Sequence, residues 1–261
     1  MKIAVLVKQV PDTTEMQVDK VTGTLIRAGV PTITNPDDLA GVEAVLRLKD
    51  KNPDIEVTVF SMGPPQAVNM LRELYAMGVD HCALITDRAF AGSDTWSTSN
   101  VLAKALEAGS FDLIVCGRQA IDGDTAQVGP QVAAKMELPQ VTYVEEIKEL
   151  TKDKIVVVKE LEDRLETIEM KLPGVITMLA TVIKPRYMNM RGIFEAFDKD
   201  VQTITNTELE LTKEEVGLTG SPTKVFKSFA NQRSSEIEVL KIDANEAKNR
   251  IISVLSEQNF I

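Results

Sequence analysis

Short apolar runs alternate with amphipathic segments along the first half of the chain. Each run is almost unbroken, as in interior strands of a parallel sheet that is covered on both faces. The runs lie at residues 2–7, 55–61, 81–85, 113–116 and 141–143. Between the first two runs, Leu39, Val42 and Val45 recur at helical spacing. This alternation predicts an α/β fold with a doubly wound, mostly parallel sheet.

Two other stretches predict antiparallel pairs. Residues 155–159 and 166–171 have strand-like patterns and are separated by a short polar turn, which predicts a β-hairpin added to the sheet. A further buried strand is predicted at 172–179. The polar, Thr-rich segment before residue 35 predicts a small hairpin over 18–26 that lies outside the sheet.

The first predicted helix begins with a characteristic group of residues. Asn35 suits the capping position, and Pro36 suits the first helical position. Asp37 and Asp38 then place two carboxylates at the positive end of the helix dipole, where negative charge is stabilising. Residues 93–95 offer possible caps for a later helix.

The C-terminal part of the chain has a weaker pattern. Residues 184–200 contain two Met, two Phe and one Ile, which indicates either a contact surface or a helix packed against its own domain. Little periodicity follows until an amphipathic helix is predicted at 245–255. Because long structureless stretches are uncommon inside compact domains, we expect an arm that lies on an obligate partner subunit.

A Gly- and Asp-rich stretch, residues 117–129, connects the run at 113–116 to a predicted helix at 131–136. Such a turn offers unpaired backbone N–H groups beside the positive end of a helix dipole, which suits a phosphate or pyrophosphate. A nucleotide is therefore one candidate ligand. The alternative is a capping loop in which Asp124 or Thr125 satisfies the first-turn amides.

Several predicted loops lie at the same edge of the sheet. In a doubly wound sheet, ligands bind outside the carboxyl ends of the strands, where the strand order reverses. One pocket could collect residues 6–8, 35–38, 61–64, 90–95 and 117–129. The chain has neither GxxxxGK[ST] nor GxGxxG after a strand, which disfavours P-loop ATPases and NAD-binding Rossmann domains.

Charge and residue usage narrow the classes of partner and site. Lys and Arg number 29 against 39 Asp and Glu, and the formal net charge of −10 argues against a nucleic-acid partner. His81 is the single histidine, so we expect neither a zinc site nor a Ser/His/Asp triad. Cys82 and Cys116 lie in predicted strands without CxxC spacing, which is typical of small core residues in a reducing compartment.

Apolar runs are short throughout the sequence. None approaches the ~18 residues that a membrane span needs. The N-terminal run at 2–7 is too short for a signal peptide. We therefore expect a cytoplasmic protein with no membrane insertion.

Specific motifs add a resemblance to one known family. Residues 117–122 together with Gln127 resemble its nucleotide loop, and Asn35-Pro36 opens its first helix in the matching place. Residues 158–177 resemble its signature segment, from which Arg164 departs.

The third motif is Pro185-Arg186-Tyr187 with the apolar loop after it. It resembles a partner-recognition loop, in which Met190 holds the position of an anchoring leucine. On these three motifs, the chain resembles the small (beta) subunit of electron-transferring flavoproteins along essentially its whole length.

The resemblance implies a heterodimer. Its alpha subunit carries one FAD on a mobile domain, and the beta subunit supplies a scaffold and an adenine-nucleotide site. In the simple version of the family this site holds AMP as a structural filler. In the electron-bifurcating version it holds a second FAD that takes hydride from NADH. One electron then goes to ferredoxin or flavodoxin, and the other passes through the alpha-subunit FAD to an acyl-CoA dehydrogenase-type partner.

Two loops resemble the bifurcating version. Gly123 stands where members of the AMP type commonly carry an acid, and residues 90–95 resemble a loop near the flavin. A glycine lacks a Cβ, so its backbone can approach a bulky cofactor closely. Both features could also be ordinary turn chemistry. The resemblance thus implies FAD, with AMP as the alternative.

The resemblance also assigns residues, none of them an acid, base or nucleophile. The nucleotide is assigned to Leu6, Asn35, Pro36, Asp38, Met62, Gly117, Arg118, Gln119, Ala120, Ile121, Asp122, Gly123, Asp124, Thr125, Ala126, Gln127 and Val128. The region for NADH is assigned to Phe90, Gly92, Ser93, Asp94 and Thr95. Partner binding is assigned to Met190, Ile193 and Phe194, and no metal is expected.

Within the site, the roles differ. Backbone amides of residues 125–128 are expected to hold the phosphates. Asp122 and Asp124 would repel a pyrophosphate, so they are expected to cap backbone or to touch ribose.

The implied division of the chain has three parts. Residues 1–185 form the nucleotide-binding domain, 186–200 the partner-recognition loop, and 201–261 an arm that packs on the alpha subunit. Any NADH-oxidising activity is expected only in the complex with its partners. A non-redox scaffold filled with AMP is one rival. A nucleotide-hydrolysing or adenylating enzyme is another, which the missing phosphate-lysine motif and the single histidine disfavour.

Overall fold

The computed structural model describes residues 1–12, 31–181, 183–224, 226 and 239–261. The strands are β1 (Lys2–Leu6), β2 (Gln9–Pro11), β3 (Thr32–Thr34), β4 (Glu56–Met62), β5 (His81–Ile85), β6 (Leu113–Gly117), β7 (Gln140–Leu150), β8 (Lys154–Glu160), β9 (Leu165–Lys171), β10 (Gly174–Met178) and β11 (Val201–Ile204). The helices are α1 (Pro36–Lys51), α2 (Val68–Met77), α3 (Thr95–Glu107), α4 (Val128–Lys135), α5 (Met190–Glu195), α6 (Asn206–Leu209), α7 (Gly217–Gly220) and α8 (Ala244–Glu257). Short 3₁₀ turns cover Pro65–Ala67 and Arg88–Phe90.

Nine strands form one sheet in the order β11-β5-β4-β1-β6-β10-β7-β8-β9. The pairs from β11 to β7 are parallel, and the β7–β8 and β8–β9 pairs are antiparallel. The predicted α/β class, the mostly parallel doubly wound sheet and the added hairpin are therefore confirmed. The predicted hairpin over 18–26 lies outside the described residues, between the paired strands β2 and β3.

Strand β1 shows why the interior runs are continuously apolar. Successive side chains of a strand point to opposite faces. Ile3 and Val5 pack on one face with helices α1 and α2, whereas Ala4 and Leu6 pack on the other face with α3 and α4. Because helices cover both faces, every position from Ile3 to Leu6 is buried, and these residues show no alternation of polar and apolar side chains.

Residues 201–221, assigned to the arm in the sequence analysis, pack against the domain instead. Strand β11 pairs with β5 at the edge of the sheet, and Ile204, Leu209 and Val216 join the core beside Phe90. These apolar residues are isolated in the sequence and give no periodicity, yet each is buried. Helix α8 differs, since none of its side chains is buried.

None of the helices in the described ranges is long and apolar enough to cross a membrane. Helix α8 illustrates the point, since it has only 14 residues and includes Glu246, Lys248, Arg250 and Glu257. Cys82 and Cys116 are free and buried, as expected. His81 is exposed, with its Nε2 atom 3.3 Å from Oε1 of Glu56.

Candidate functional site

The strand order reverses at β1, which lies between β4 and β6 although β6 follows much later in the chain. The carboxyl ends of β1 and β6 are therefore the edge at which a ligand crevice is expected. Lys8 follows β1, and Gly117 ends β6. Helix α1 begins above both strand ends. Most of the nucleotide-site residues from the sequence analysis meet here.

Asp38 joins the two strand ends. Its carboxylate accepts the N–H of Lys8 at 2.8 Å and the N–H of Gly117 at 2.9 Å. A side chain at Gly117 would place its Cβ 2.6 Å from the Asp38 nitrogen, so only glycine fits where β6 meets α1. Burial raises the pKa of Asp38 to about 7, although the hydrogen bonds from Lys8, Gly117 and Asn35 act in the opposite direction.

Asn35 holds the next part of the loop. It occupies the capping position of α1, but its side chain makes no capping hydrogen bond, so its predicted capping role is wrong. Instead, its Nδ2 donates to the carbonyl of Gln119 at 2.8 Å, and its Oδ1 accepts the N–H of Ile121 at 3.1 Å. Asn35 is fully buried, and an amide can satisfy a donor and an acceptor together. It fixes the loop rather than the helix.

The loop carboxylates have side-chain partners. Both oxygens of Asp122 accept from Nζ of Lys8, at 2.7 and 2.9 Å. Asp124 accepts from the Nε2 of Gln119. Neither Asp122 nor Asp124 accepts a backbone N–H from any residue that the structure describes, which corrects one of the two roles expected for them.

Arg118 lies at the start of the loop. Its Nε is 3.4 Å from Oδ2 of Asp37, and its guanidinium lies over the ring of Tyr143. The Asp37 carboxylate also accepts the N–H of Ala180 at 3.0 Å. Arg118 thus contacts residues of α1 and β7.

The end of the loop presents free backbone donors. The N–H groups of residues 125–129 have no hydrogen-bond partner among the residues that the structure describes. Asp124 and Ala126 have positive φ angles of 51° and 52°, whereas Gln127 is right-handed with φ −109° and ψ −30°. Backbone that alternates in this way turns successive N–H groups into one concavity that suits an anion.

The capping-loop alternative is wrong at this point. Helix α4 has Gln127 at its capping position, without a side-chain hydrogen bond to the first turn. Left-handed residues other than glycine cost about 1–3 kcal/mol each and persist only where their surroundings impose them. The Ala120 carbonyl imposes part of this shape by accepting the N–H groups of Gly123 at 3.2 Å and Asp124 at 2.8 Å.

The remaining predicted residues lie around this loop in different ways. Leu6 is buried in the core, Met62 is half-buried at the end of β4, and Pro36 is exposed. A Cβ added to Gly123 would meet nothing within 4 Å. The open space beside Gly123 therefore remains on the solvent side of the loop.

Comparison with known proteins adds to this geometry. The family model for the electron transfer flavoprotein domain matches residues 22–209. Electron transfer flavoprotein subunit beta of Thermoanaerobacterium thermosaccharolyticum is 47% identical over 262 residues, covering 100% of both chains. The chain belongs to the beta-subunit family of electron transfer flavoproteins.

Two relatives have names that mention an assembly. Caffeyl-CoA reductase-Etf complex subunit CarD of Acetobacterium woodii is 46% identical over 263 residues, covering 100% of both chains. Acryloyl-CoA reductase electron transfer subunit gamma of Anaerotignum propionicum is 42% identical over 269 residues, again covering 100% of both. The predicted family membership is confirmed over the full length of the chain.

In this beta-subunit chain, the loop at residues 90–95 is divided between two tasks. Phe90 is buried in the core, so its ring does not line the crevice. Ser93 accepts the N–H of Gly217 at 3.0 Å, and Asp94 caps α3 while accepting the N–H of Thr223 at 2.9 Å. A Cβ on Gly92 would lie 3.3 Å from Leu218, so this glycine also faces the 217–223 segment.

Thr95 connects this region to the loop at residues 117–129. Its Oγ1 donates to Oε1 of Gln127 at 2.9 Å. The structure therefore brings Thr95 to the loop and places Phe90, Gly92, Ser93 and Asp94 against the C-terminal segment. The assignment of these residues to NADH stays a prediction.

The segment assigned to partner recognition packs partly against its own domain and is partly exposed. Met190 and Phe194 on α5 are 71% and 70% exposed, whereas Ile193 packs against the core and Ala196 is buried. A Cβ on Gly192 would lie 2.5 Å from the Ala76 carbonyl oxygen, so α5 approaches the end of α2 closely. One side of this segment packs on its own domain, and the other is open.

Arg186 fixes the start of the same segment. Its Nε donates to Oε2 of the buried Glu43 at 2.8 Å, and its Nη2 donates to Asp50 at 2.7 Å. Hydrogen bonds from Arg186 and Arg47 hold the pKa of Glu43 below its usual value, although its burial acts in the opposite direction. The exposed apolar residues after Arg186 therefore start from a rigid attachment to α1.

Sequence reasoning missed two residues that shape the site, Lys8 and Asp37. Lys8 was included in the crevice range but had no assigned role, and Asp37 was assigned only to the helix dipole. A lysine directly after the interior strand β1, at the edge where the strand order reverses, was the available signal. The ion pair between Lys8 and Asp122 spans 114 residues, so no local pattern indicates it.

Proposed function

We propose that this chain is the nucleotide-binding subunit of a heterodimeric electron transfer flavoprotein and that its nucleotide is FAD. The observation that carries the proposal is the row of unpartnered N–H groups at 125–129, at the start of α4. A helix N-terminus with free amides and alternating backbone handedness suits a phosphate. The pyrophosphate of a dinucleotide supplies that anion.

The chain's own residues fit such a group without a cationic clamp. Backbone amides of residues 125–128 would hold the phosphates, because Lys8 and Arg118 are already paired with Asp122 and Asp37. Asn35 and Asp38 would hold the loop in place through their hydrogen bonds to residues 117–121. The proposed nucleotide contacts are thus mostly main-chain.

The redox chemistry belongs to the cofactor. When bound, FAD would accept hydride from NADH, pass one electron to ferredoxin or flavodoxin and pass the other to the alpha-subunit FAD. The alpha-subunit FAD would in turn serve an acyl-CoA dehydrogenase-type flavoenzyme. No side chain of this chain acts as acid, base or nucleophile in the proposal. The task of the chain is to bind the cofactor and to position it.

FAD is favoured over AMP for two reasons. A Cβ at Gly123 would meet nothing within 4 Å, so none of the described atoms blocks a larger cofactor at this point of the loop. Relatives that are 46% and 42% identical over their full length carry names linking them to a caffeyl-CoA reductase-Etf complex and to acryloyl-CoA reductase. These names also support the acyl-CoA dehydrogenase-type partner.

The first experiment purifies the chain with its alpha subunit and identifies the released nucleotides by chromatography. We expect two FAD and no AMP per heterodimer, because each subunit holds one flavin. The aspartate variant Gly123→Asp should then lose about half of the FAD, because a carboxylate would project into the open space. Its unfolding temperature serves as the control, since a Cβ there meets no neighbour.

Either of two results would contradict the FAD assignment. One FAD and one AMP per heterodimer would make the chain a scaffold for simple electron transfer. An unchanged FAD content in Gly123→Asp would show that the cofactor does not pass this glycine. NADH-driven reduction of ferredoxin is the next assay if both results agree with the proposal.

The partner surface gives a second prediction. Replacing Met190 with alanine should weaken binding of the acyl-CoA dehydrogenase-type partner by about tenfold, since an exposed apolar anchor on a rigid segment is a typical hot spot. The binding constant is measured by surface plasmon resonance with the immobilised heterodimer. Leu165→Ala is the matched control, because Leu165 is also exposed but lies on β9. Equal losses in the two variants would contradict the assignment.

A further inference from the structure

The backbone of Lys8 is fixed by hydrogen bonds, and its side chain forms an ion pair with the loop. Its N–H donates to Asp38 at 2.8 Å, and its carbonyl accepts the N–H of Asn35 at 2.9 Å. The main chain of Lys8 is therefore fixed between two residues of the site. Its side chain crosses the crevice edge and donates to both oxygens of Asp122, at 2.7 and 2.9 Å.

The charges around the loop explain why this pair matters. Among the described residues of the loop, Arg118 is the cation, and it is paired with Asp37 on α1. Asp124 is bonded to the uncharged amide of Gln119. In the part of the chain that the structure describes, Lys8 is thus the cation that balances the Asp122 carboxylate. Without it, two uncompensated carboxylates would lie within a few residues of the N–H groups at 125–129.

The ion pair itself does little for the fold. The Lys8 side chain is 47% exposed and that of Asp122 is 17% exposed. Ion pairs near the surface contribute little to the stability of the folded state. An anionic ligand responds differently, because an unbalanced carboxylate repels it through a medium of lower dielectric constant than water. Loss of the Lys8 side chain should therefore reduce nucleotide affinity more than it reduces the stability of the fold.

We infer that Lys8 is a positioning residue of the nucleotide site, whose ammonium group neutralises Asp122 and so removes the repulsion between that carboxylate and a phosphate on the loop amides. The inference rests on the proposed function, in which the loop amides hold the phosphates. Lys8 acts through Asp122, both of whose oxygens accept from the Lys8 ammonium group, and neither side chain bonds to the nucleotide. This separates it from the phosphate-binding lysine of P-loop proteins.

The test is a double-mutant cycle in the heterodimer with its alpha subunit. Equilibrium dialysis measures binding of labelled AMP and of labelled FAD to wild type, Lys8→Met, Asp122→Asn and the double variant. Lys8→Met should weaken binding about tenfold at low ionic strength, and the double variant should recover to within about twofold of wild type. In 1 M salt, where the Debye length is about 3 Å, the deficit of Lys8→Met should shrink to about threefold.

A matched control excludes a general effect of removing one positive charge. Lys154→Met changes the net charge equally and breaks a 2.7 Å pair with Glu169, but it lies on the hairpin strand β8. It should bind both nucleotides like wild type. Lys8→Arg keeps the charge and should retain affinity within about threefold.

Three results would overturn the inference. A double variant as weak as Lys8→Met would mean that Lys8 contacts the nucleotide directly. Unchanged binding in Lys8→Met, or a loss that Lys154→Met shares, would mean that its charge has no positioning role. The proposed function fails separately, if the wild-type heterodimer binds neither AMP nor FAD beyond the alpha-subunit cofactor.

Discussion

Replacing Gly117 with alanine is expected to destabilise the chain by about 3 kcal/mol, at the upper end of the usual cost of overpacking. The new Cβ would lie 2.6 Å from the Asp38 nitrogen and 2.7 Å from the carbonyl carbon of Asp37. Both atoms belong to the backbone at the start of α1, so neither can move as the end of a flexible side chain can. Urea unfolding followed by far-ultraviolet circular dichroism measures the change.

Gly123→Ala is the control for this substitution. It changes the same residue type in the same loop, but its Cβ would meet nothing within 4 Å. The expected change is within about 0.5 kcal/mol, as for surface positions without special geometry. If both variants unfold at the same urea concentration, the close approach of β6 to α1 does not constrain Gly117.

Stability is expected to fall as the pH rises through neutrality because of Asp38. The folded chain raises the pKa of this buried carboxyl from 3.8 to about 7, so it keeps a proton that the unfolded chain releases. This contribution is fully present below pH ~4 and is lost as the pH rises through about 7. Between pH 5 and pH 8, the loss of this contribution should lower the free energy of unfolding by on the order of 3 kcal/mol.

Asp38→Asn isolates this effect, because an amide has no charge to gain. Its unfolding free energy should start lower at pH 5, since an amide group that faces the N–H groups of Lys8 and Gly117 can replace only one acceptor oxygen. From pH 5 to pH 8, however, the gap to wild type should close by the same ~3 kcal/mol. Parallel curves for the two proteins would show that Asp38 is already ionised at pH 5.

Much of the fold could be predicted because a strand that is buried on both faces appears in the sequence as a continuous apolar run. Strands β1, β4, β5 and β6 are short apolar runs. Strand β7 was only partly predicted, because its later residues alternate between half-buried and exposed positions. Such alternation with many charged residues resembles a loop when no partner strand is known.

The site was predicted at the level of segments and not at the level of contacts. Residues 35–38 and 117–128 could be placed at one edge, since parallel strands end together. The use of Asn35 by the loop could not be predicted, because a capping asparagine and a loop-binding asparagine have the same local sequence. Likewise, the sequence could not pair Asp122 with Lys8, since any nearby cation satisfies a surface carboxylate.

The strand order also has a consequence for how the chain folds. Contacts that build the site join residues 79 and 114 positions apart, and Asn206 donates to Asp87 across 119 positions. Long sequence separations slow folding, because the entropy of closing large loops is lost before the contacts form. A nucleotide can therefore stabilise only a sheet that is already assembled, by mass action on the native state. A bound nucleotide would therefore indicate that folding is complete. Adding nucleotide would not change the rates of the early folding steps.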